Sequence, residues 1–357
     1  MRGPFAREDG HEQVVFVRDD EVGLACIIAI HSTALGPALG GARFYPYESE
    51  DAALTDVLRL SQAMTYKNAC AGLDLGGGKA VLIGDPAQIK TEALLRTFGR
   101  AVESLGGRYI TACDVGTTPA DMEMVRRETT AVTGTDLAEG GSGDSGVFTA
   151  LGVYLAMHPV AEAVFGTPDL SSRHIAVQGL GKVGARLVGH LVEEGAKVTV
   201  ADIAPEAIDR VTDLAGVEVV GVDELLQVDA DIISPNALGA VFDETTIPTL
   251  QARAICGGAN NQLATEEDAT RLHERGILYA PDYVVNAGGV INVAQELHHH
   301  GYSADRARDR VRAIPQTLRS IFDVSRKQDI TTEEAALHVA EERIAAVSGT
   351  RRRFWLP

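Results

Sequence analysis

Two lysines, Lys67 and Lys79, flank a glycine-rich segment and are the first residues whose type and spacing suggest chemistry. The three glycines at positions 76–78 would let a backbone approach a ligand closely. A lysine beside such a loop can bind an anion or exchange a proton, and burial or a like charge nearby lowers the pKa of an amine toward neutrality. On spacing alone, two solvated lysines beside a flexible loop remain the alternative.

A carboxylate stands at the end of a predicted strand further along the chain. Residues 108–112 are predicted to form a strand, and Asp114 lies just past its C-terminal end, where α/β proteins commonly place their sites. An aspartate that only caps the loop is the alternative interpretation. The neighbouring Cys113 is a candidate for a reactive cysteine.

A third segment has the pattern of a phosphate-binding turn. A predicted strand at 174–178 leads directly into Gly179, Leu180, Gly181, Lys182, Val183 and Gly184, and a predicted helix follows. In this pattern the first glycine makes the tight turn, the second admits a pyrophosphate, and the third lets the helix pack on the strand. The helix N-terminus offers free N–H groups to the phosphates. The segment predicts a dinucleotide site, and a βα turn with incidental glycines is the alternative.

An acidic residue closes the next predicted strand, at 197–201. Asp202 at this position would accept hydrogen bonds from a ribose 2′-hydroxyl and would repel a 2′-phosphate. We therefore predict NAD rather than NADP as the cofactor. The alternative is that Asp202 only caps the following helix.

The elements around these residues predict an α/β protein of two domains. Six short apolar strands recur between 174 and 280, mostly separated by helix-length segments, which predicts a doubly wound parallel sheet of the Rossmann type. The preceding part mixes strands with helices, one of which begins at Ser49 and ends near Lys67. The segment 139–146 resembles a linker. We place an N-terminal domain at 1–135 and a dinucleotide-binding domain at 136–329.

Composition limits the function classes. The 357 residues include 32 basic and 50 acidic side chains, a net charge of −18, which argues against binding to nucleic acid or to an acidic membrane surface. The apolar runs are short, and no signal peptide is recognisable, so we expect a cytoplasmic protein. The four cysteines are widely spaced and predicted to be reduced. We expect no metal, because the three histidines at 298–300 have the pattern of a solvated turn.

Six stretches together resemble the amino-acid dehydrogenases of the glutamate/leucine/phenylalanine/valine family, in family order and over nearly the whole chain. They are 36–43 (GPALGGAR), 67–79, Asp114 with the following Val-Gly-Thr, the turn at 179–184, 258–262 (GANNQ) and 280–291 (APDYVVNAGGVI). The resemblance implies reversible, NAD-dependent oxidative deamination of an L-amino acid to a 2-oxo acid and ammonia. It also implies a substrate-binding and oligomerisation domain, a cleft between the two domains, a homo-oligomer (a dimer or larger), and a C-terminal helix, about 330–357, that returns to the first domain.

The resemblance also implies roles for individual residues. Lys67 would bind the substrate carboxylate, Lys79 would activate the attacking water, and Asp114 would carry a proton to and from the substrate nitrogen. Asn260 would lie where the carboxylate meets the nicotinamide ribose, and Thr149 would lie near the nicotinamide amide.

Substrate choice follows from the implied pocket wall. Leu39 stands where glutamate enzymes of the family carry a lysine, and an unpaired buried carboxylate is costly. The other implied substrate contacts are Gly40, Met64, Ala112, Asn260, Val290 and Val293. These residues favour a branched-chain substrate: valine, and also leucine and isoleucine. A phenylalanine dehydrogenase and a non-catalytic NAD-binding sensor remain alternatives. Asn236 and Gly258 depart from the residues common in the family.

Overall fold

The computed structural model describes residues 10–237 and 239–348, and these residues form two compact units. The first unit consists of the described residues up to Asp144, the segment Val293–Ala304 and the described residues from Ala340 onward. The second unit consists of Ser145–Asn292 and Asp305–Val339. The assignment of separate functions to residues 1–135 and 136–329 stays a prediction.

The first unit is built on one five-stranded sheet. Its strands are β1 (Gln13–Asp19), β2 (Leu24–Ser32), β3 (Ala38–Tyr45), β4 (Gly76–Ile83) and β5 (Tyr109–Cys113), in the order β1-β2-β4-β3-β5. β2 pairs antiparallel with β1 and β4, whereas β3 runs parallel to β4 and β5. The helices are α1 (Glu50–Cys70), α2 (Pro86–Ile89), α3 (Glu92–Glu103) and α4 (Pro119–Arg126).

Helix α1 begins where the sequence predicts and ends one turn later. The Ser49 side chain accepts a hydrogen bond from the N–H of Ala52, and two acidic residues in the first turn favour the helix dipole. The helix continues past Lys67 to Cys70, so Lys67 lies in its last turn rather than in a loop.

The three glycines at 76–78 do not form a loop, so the predicted loop is wrong. They are the first residues of β4, and their missing side chains make room for neighbouring elements. A Cβ at Gly77 would lie 2.2 Å from the backbone nitrogen of Thr65 in α1, and one at Gly78 would lie 2.8 Å from the Tyr109 ring. The glycines therefore let α1 and β5 pack directly on the strand that carries Lys79.

The second unit contains a six-stranded parallel sheet. Its strands are β6 (His174–Gln178), β7 (Lys197–Ala201), β8 (Val217–Val219), β9 (Ile232–Pro235), β10 (Ala254–Ile255) and β11 (Leu278–Tyr279), in the order β11-β10-β9-β6-β7-β8. The helices are α5 (Gly146–Phe165), α6 (Gly184–Glu194), α7 (Pro205–Asp209), α8 (Glu267–Glu274), α9 (Asp282–Val285), α10 (Gly288–Ala294), α11 (Ala304–Val311) and α12 (Ile314–Gln328). All six predicted strands form, and the predicted fold class is confirmed.

Among the described residues, α5 is the helix whose length and hydropathy would suit a membrane span. Half of its most apolar 18-residue stretch is buried inside the protein. Val153, Met157 and Val160 are fully buried, in a unit whose sheet needs covering helices. We therefore interpret α5 as a core helix.

The last described helix, α13 (Thr332–Ser348), contributes residues to both units. In the first unit, the Arg343 guanidinium donates to the Asp74 carboxylate at 3.0 Å and to the Leu73 carbonyl at 3.2 Å. Residues 349–357, which complete the predicted C-terminal helix, lie outside the described part of the chain.

The side chain of Glu333, in α13, lies in an environment that disfavours its negatively charged form. Burial, together with the nearby Asp282 carboxylate, raises the pKa of Glu333 to about 8 from the ordinary value of 4.5. The folded chain therefore keeps a proton that the unfolded chain loses, and the free energy of unfolding falls as pH rises from about 4.5 to about 8.

We expect Glu333→Gln, which stays neutral, to raise the Tm at pH 8.5 and to change it little at pH 5. A gain of 1 kcal/mol corresponds to roughly 2–4 °C. Glu334→Gln is the matched control. Hydrogen bonds from Thr331 lower the pKa of Glu334, so its carboxylate is ionised at both pH values, and this variant should have a lower Tm at both. Thermal unfolding of both variants at the two pH values tests the prediction, and equal Tm changes for Glu333→Gln at both would contradict it.

Candidate active site

The first unit brings several of its predicted substrate residues together. Gly40 on β3 is paired in register with Thr111 on β5, and Gly41 is paired with Ala112. A Cβ at Gly40 would lie 1.7 Å from the Gly78 carbonyl oxygen and 3.4 Å from the Met64 side chain. Leu39 is buried in the same strand as Gly40. The predicted wall residues of this unit, which are Leu39, Gly40, Met64 and Ala112, therefore lie close to one another.

Lys79 and Asp114 form a direct ion pair in this region. The Lys79 Nζ lies 2.7 Å from the Asp114 Oδ2, and the two side chains are only 7% and 23% exposed. Burial by itself would raise the pKa of Asp114, but the positive charges of Lys79 and Arg43 outweigh it and lower the pKa below the ordinary value. The pair therefore joins a carboxylate whose ionised form is stabilised to the side chain of Lys79.

Arg43 is a site residue that the sequence reasoning did not identify. It was quoted only as the last residue of a family motif, yet its Nε lies 3.0 Å from the same Asp114 oxygen. A Cβ at Gly41 would lie 2.8 Å from the Asp114 Cβ, and a strand repeats its facing every two residues, so Arg43 shares that face. The glycines in β3 interrupt the alternation of side chains that is typical of a strand. The sequence therefore did not predict that Arg43 faces Asp114.

Lys67 lies, half-buried, in the last turn of α1, one turn beyond Met64. The next residue, Asn68, is fully buried and donates to the carbonyls of Gly76 at 2.6 Å and Leu39 at 3.4 Å. This side chain fastens the end of α1 to β3 and β4. The role of Lys67 in binding a carboxylate stays a prediction.

Cys113 is not the reactive thiol that its position suggested. Burial and the negative charges of Asp121 and Glu296 raise the pKa of Cys113 to about 12, so the thiolate is scarce at neutral pH. Its sulfur instead lies 3.4 Å from the Gly134 carbonyl oxygen.

The glycine turn of the second unit has the geometry expected for a dinucleotide. Gly179 has φ +85°, in the left-handed region that favours glycine, and a Cβ at Gly184 would lie 1.8 Å from the Gly179 carbonyl oxygen. A Cβ at Gly181 would meet no atom within 4 Å, so the turn presents bare backbone to open space. Lys182 is exposed beside it, and Val183 immediately precedes α6.

Asp202 is already engaged by the turn that it follows. Its Oδ2 accepts the N–H of Leu180 at 2.6 Å, and its Oδ1 accepts the N–H of Ala204 at 2.8 Å. The second contact agrees with the alternative that Asp202 caps the chain ahead of α7. A carboxylate oxygen accepts more than one hydrogen bond, so a ribose hydroxyl can still bind there.

The loop that carries Asn260 is held by two amides. Asn286 donates to the Asn260 Oδ1 at 2.7 Å, and the buried Gln262 donates to the carbonyls of Gly257 and Ala259 at 2.8 and 3.0 Å. Both lie inside the quoted family stretches, but the sequence reasoning gave them no role. They leave the exposed Asn260 on a fixed loop.

The two departures from the family, Asn236 and Gly258, contact each other. The Asn236 Oδ1 accepts the Gly258 N–H at 3.0 Å, and a Cβ at Gly258 would lie 2.7 Å from that oxygen. The same Cβ would lie 3.0 Å from Val183, so this contact abuts the dinucleotide turn. A glycine at 258 therefore makes room for the asparagine at 236.

The remaining predicted residues lie at helix ends. Thr149 is in the first turn of α5, and a Cβ at Gly289 would lie 2.9 Å from its Oγ1. Val290 and Val293 lie one turn apart on α10. In the ranges that the structure describes, no three His, Cys, Asp or Glu side chains gather as metal ligands.

Comparison with known proteins matches both parts of the chain to one family. The dimerisation-domain model of the Glu/Leu/Phe/Val dehydrogenases matches residues 11–131, and the Glutamate/Leucine/Phenylalanine/Valine dehydrogenase model matches residues 201–351. The chain belongs to the Glu/Leu/Phe/Val dehydrogenase family. The resemblance inferred from the sequence is therefore confirmed, and the chain is an amino-acid dehydrogenase.

Several members of this dehydrogenase family are similar over nearly the full length. A leucine dehydrogenase of Bacillus cereus is 50% identical over 96% of this chain and 93% of its own. A valine dehydrogenase of Streptomyces coelicolor is 51% identical over 95% of this chain and 93% of its own. The solved L-tryptophan dehydrogenase of Nostoc punctiforme has a TM-score of 0.86 and 44% identity, covering 97% of this chain and 98% of its own.

Proposed function

We propose that this dehydrogenase catalyses the reversible, NAD-dependent oxidative deamination of a branched-chain L-amino acid to the 2-oxo acid and ammonia. Valine is the expected substrate, with leucine and isoleucine also accepted. The observation that carries the proposal is the buried Lys79–Asp114 ion pair beside the apolar residues Leu39 and Ala112. Its similarity to leucine and valine dehydrogenases supports the substrate class.

The polar residues of the first unit divide the acid–base work. The cationic Lys67 binds the substrate carboxylate, since an ammonium group is a suitable partner for it. Asp114 stays ionised at neutral pH because its pKa is lowered, so it can accept a proton from the substrate ammonium group. Lys79, once it has lost its own proton to solvent, removes a proton from the water that attacks the imino carbon, and Asp114 gives its proton to the nitrogen as ammonia leaves. The reverse direction runs the same proton transfers backward.

The second unit provides residues that fit a dinucleotide. The open backbone at Gly181 and the α6 N-terminus suit a pyrophosphate, and the Asp202 carboxylate suits an unphosphorylated ribose. Leu180, Lys182 and Val183 complete the turn, and Thr149 and Asn260 are the residues that we propose for the nicotinamide end. When bound, NAD supplies the acceptor for the hydride from the substrate α-carbon.

The substrate side chain is recognised by apolar surface. Leu39 is 1% exposed and offers no charge to a substrate carboxylate, which would lose its solvation without a partner. Gly40, Met64, Ala112, Val290 and Val293 contribute small or aliphatic groups. We therefore propose preference for aliphatic over acidic side chains, with modest discrimination among aliphatic ones because one methylene is worth about 1–3 kcal/mol.

We further propose a cytoplasmic homo-oligomer, a dimer or larger. Support comes from the match of residues 11–131 to a dimerisation-domain model. The N-terminal domain then binds substrate and mediates assembly, while the domain from about 136 binds NAD.

Initial rates of NADH formation at alkaline pH test the proposed function. The panel is L-valine, L-leucine, L-isoleucine, L-phenylalanine, L-tryptophan and L-glutamate, each with NAD⁺ and with NADP⁺. We expect the highest kcat/KM for the three branched-chain substrates with NAD⁺. NAD⁺ binding without turnover on any of them would identify a sensor, and faster turnover of phenylalanine or tryptophan would overturn the substrate assignment.

A further inference from the structure

We propose that Arg43 is a positioning residue for the Lys79–Asp114 pair, and that Asp56 and Tyr47 hold Arg43 in place. In this arrangement Arg43 keeps Asp114 oriented, and ionised until it accepts the proton of the substrate ammonium group. The inference rests on the proposed function for the roles of Lys79 and Asp114. It adds three residues that act through Asp114.

The guanidinium of Arg43 joins two carboxylates from different elements. Its Nε lies 3.0 Å from the Asp114 Oδ2, the oxygen that also contacts Lys79, and its Nη1 lies 2.8 Å from the Asp56 Oδ2 on α1. The side chains of Arg43 and Asp56 are 22% and 15% exposed, so water screens these contacts only partly. A planar guanidinium bound at both ends has little freedom to rotate.

Tyr47 continues the chain of contacts behind Arg43. Its hydroxyl donates a hydrogen bond of 2.6 Å to the same Asp56 oxygen that Arg43 contacts. Arg59 contacts the other Asp56 oxygen at 3.3 Å from a side chain that is 61% exposed. Asp56 therefore anchors Arg43 from a position that touches neither Lys79 nor Asp114.

The two cations that face Asp114 differ in what they can do. Lys79 must become neutral at one stage of the proposed reaction, whereas a guanidinium stays charged throughout the working pH range. When Lys79 is neutral, Arg43 still opposes the tendency of the buried carboxyl to take up a proton. Asp114 therefore stays ionised, and able to accept the proton of the substrate ammonium group, once Lys79 has become neutral.

Other ionisable groups near Asp114 are engaged elsewhere or stay uncharged. Lys90 donates to the Gly116 carbonyl at 3.2 Å and is paired with Asp121 at 2.8 Å. The Tyr109 hydroxyl donates to the Gly40 carbonyl at 2.7 Å, and burial raises the pKa of Tyr109 far above neutrality. Burial also keeps Cys113 in the thiol form. These groups do not replace the charge of Arg43.

The pH dependence of kcat/KM separates this role from a purely structural one. We expect Arg43→Gln to lower kcat/KM for L-valine by about 10²-fold and to move its acid-side inflection upward by about 1 unit, since an opposite charge in contact shifts a carboxyl pKa by about 1–3. The KM for NAD⁺ should not change. Arg43→Lys should move the inflection upward by less than Arg43→Gln does, because lysine keeps the positive charge but not the second contact.

Substitutions of the two residues that hold Arg43 keep the proposal testable if Arg43→Gln folds poorly. Asp56→Asn and Tyr47→Phe should shift the acid-side inflection in the same direction by less, whereas Arg59→Gln should leave it in place. Inflections unmoved in Asp56→Asn and Arg43→Lys, with only the Tm lowered, would assign Arg43 a structural role and overturn the proposal. An equal shift in Arg59→Gln would also overturn it.

A readout without turnover distinguishes this inference from the proposed function. With ¹³C-labelled aspartate, the Asp114 carboxyl signal can be assigned by its loss in Asp114→Asn. We expect that signal to titrate at higher pH in Arg43→Gln than in the unmodified protein. Such a shift in a protein inactive on every amino acid would contradict the proposed function alone, and an unshifted titration would contradict the inference alone.

Discussion

Lys79→Ala is expected to lower kcat for L-valine by about 10³-fold, within the range of about 10²–10⁴ that a positioned acid–base group contributes. The affinity for NAD⁺ should stay within about twofold of the original, since the predicted dinucleotide residues belong to the second unit and Lys79 to the first. The loss arises because Arg43, which also contacts the Asp114 Oδ2, stays charged and cannot exchange a proton in place of Lys79. Steady-state kinetics and NAD⁺ titration provide the measurements.

Lys90→Ala is the matched control for Lys79→Ala. Lys90 belongs to the same unit and forms a partly buried ion pair with Asp121 at 2.8 Å, close in length to the 2.7 Å of the Lys79–Asp114 pair. Its removal should lower the Tm without abolishing turnover. If both alanine variants lost activity equally, or if Lys79→Ala kept normal turnover, the proposed mechanism would be wrong.

Gly181→Ala is expected to weaken NAD⁺ binding at least tenfold, which is about 1.4 kcal/mol, without lowering the Tm. Its Cβ would meet no protein atom within 4 Å, so the folded chain tolerates it. In the bound state the same methyl group would occupy the space that the backbone leaves for the pyrophosphate. Calorimetric titration with NAD⁺ and thermal unfolding measure the two quantities separately.

Two neighbouring glycines serve as controls for Gly181→Ala. Gly184→Ala should lower both Tm and affinity, because its Cβ would lie 1.8 Å from the Gly179 carbonyl oxygen. Gly189→Ala, in the interior of α6 with open space around it, should keep the affinity and raise stability slightly, by about 0.5–1 kcal/mol. Unchanged NAD⁺ binding in Gly181→Ala would remove this turn from the cofactor site.

The sequence by itself was sufficient for the features that depend on contiguous residues. A strand, a glycine turn and a helix follow one another between 174 and 194, and each requires its own local conformation, so pattern and structure agree there. The cap of α1 is similarly local: the Ser49 side chain accepts a hydrogen bond from the backbone N–H of Ala52, three residues ahead. The family motifs add the identities of Lys79 and Asp114.

Only the tertiary structure decided what distant residues do for one another. The glycines at 76–78 read as a loop because sequence does not reveal that α1 and Tyr109 need their space. Arg43 reaches Asp114 across 71 residues of chain, through a strand register that local propensity does not encode. Backbone conformation depends mainly on neighbours in sequence, whereas side-chain partners depend on how sheets and helices pack. The predicted catalytic pair can therefore be named from the sequence, and the arrangement that holds it is a property of the fold.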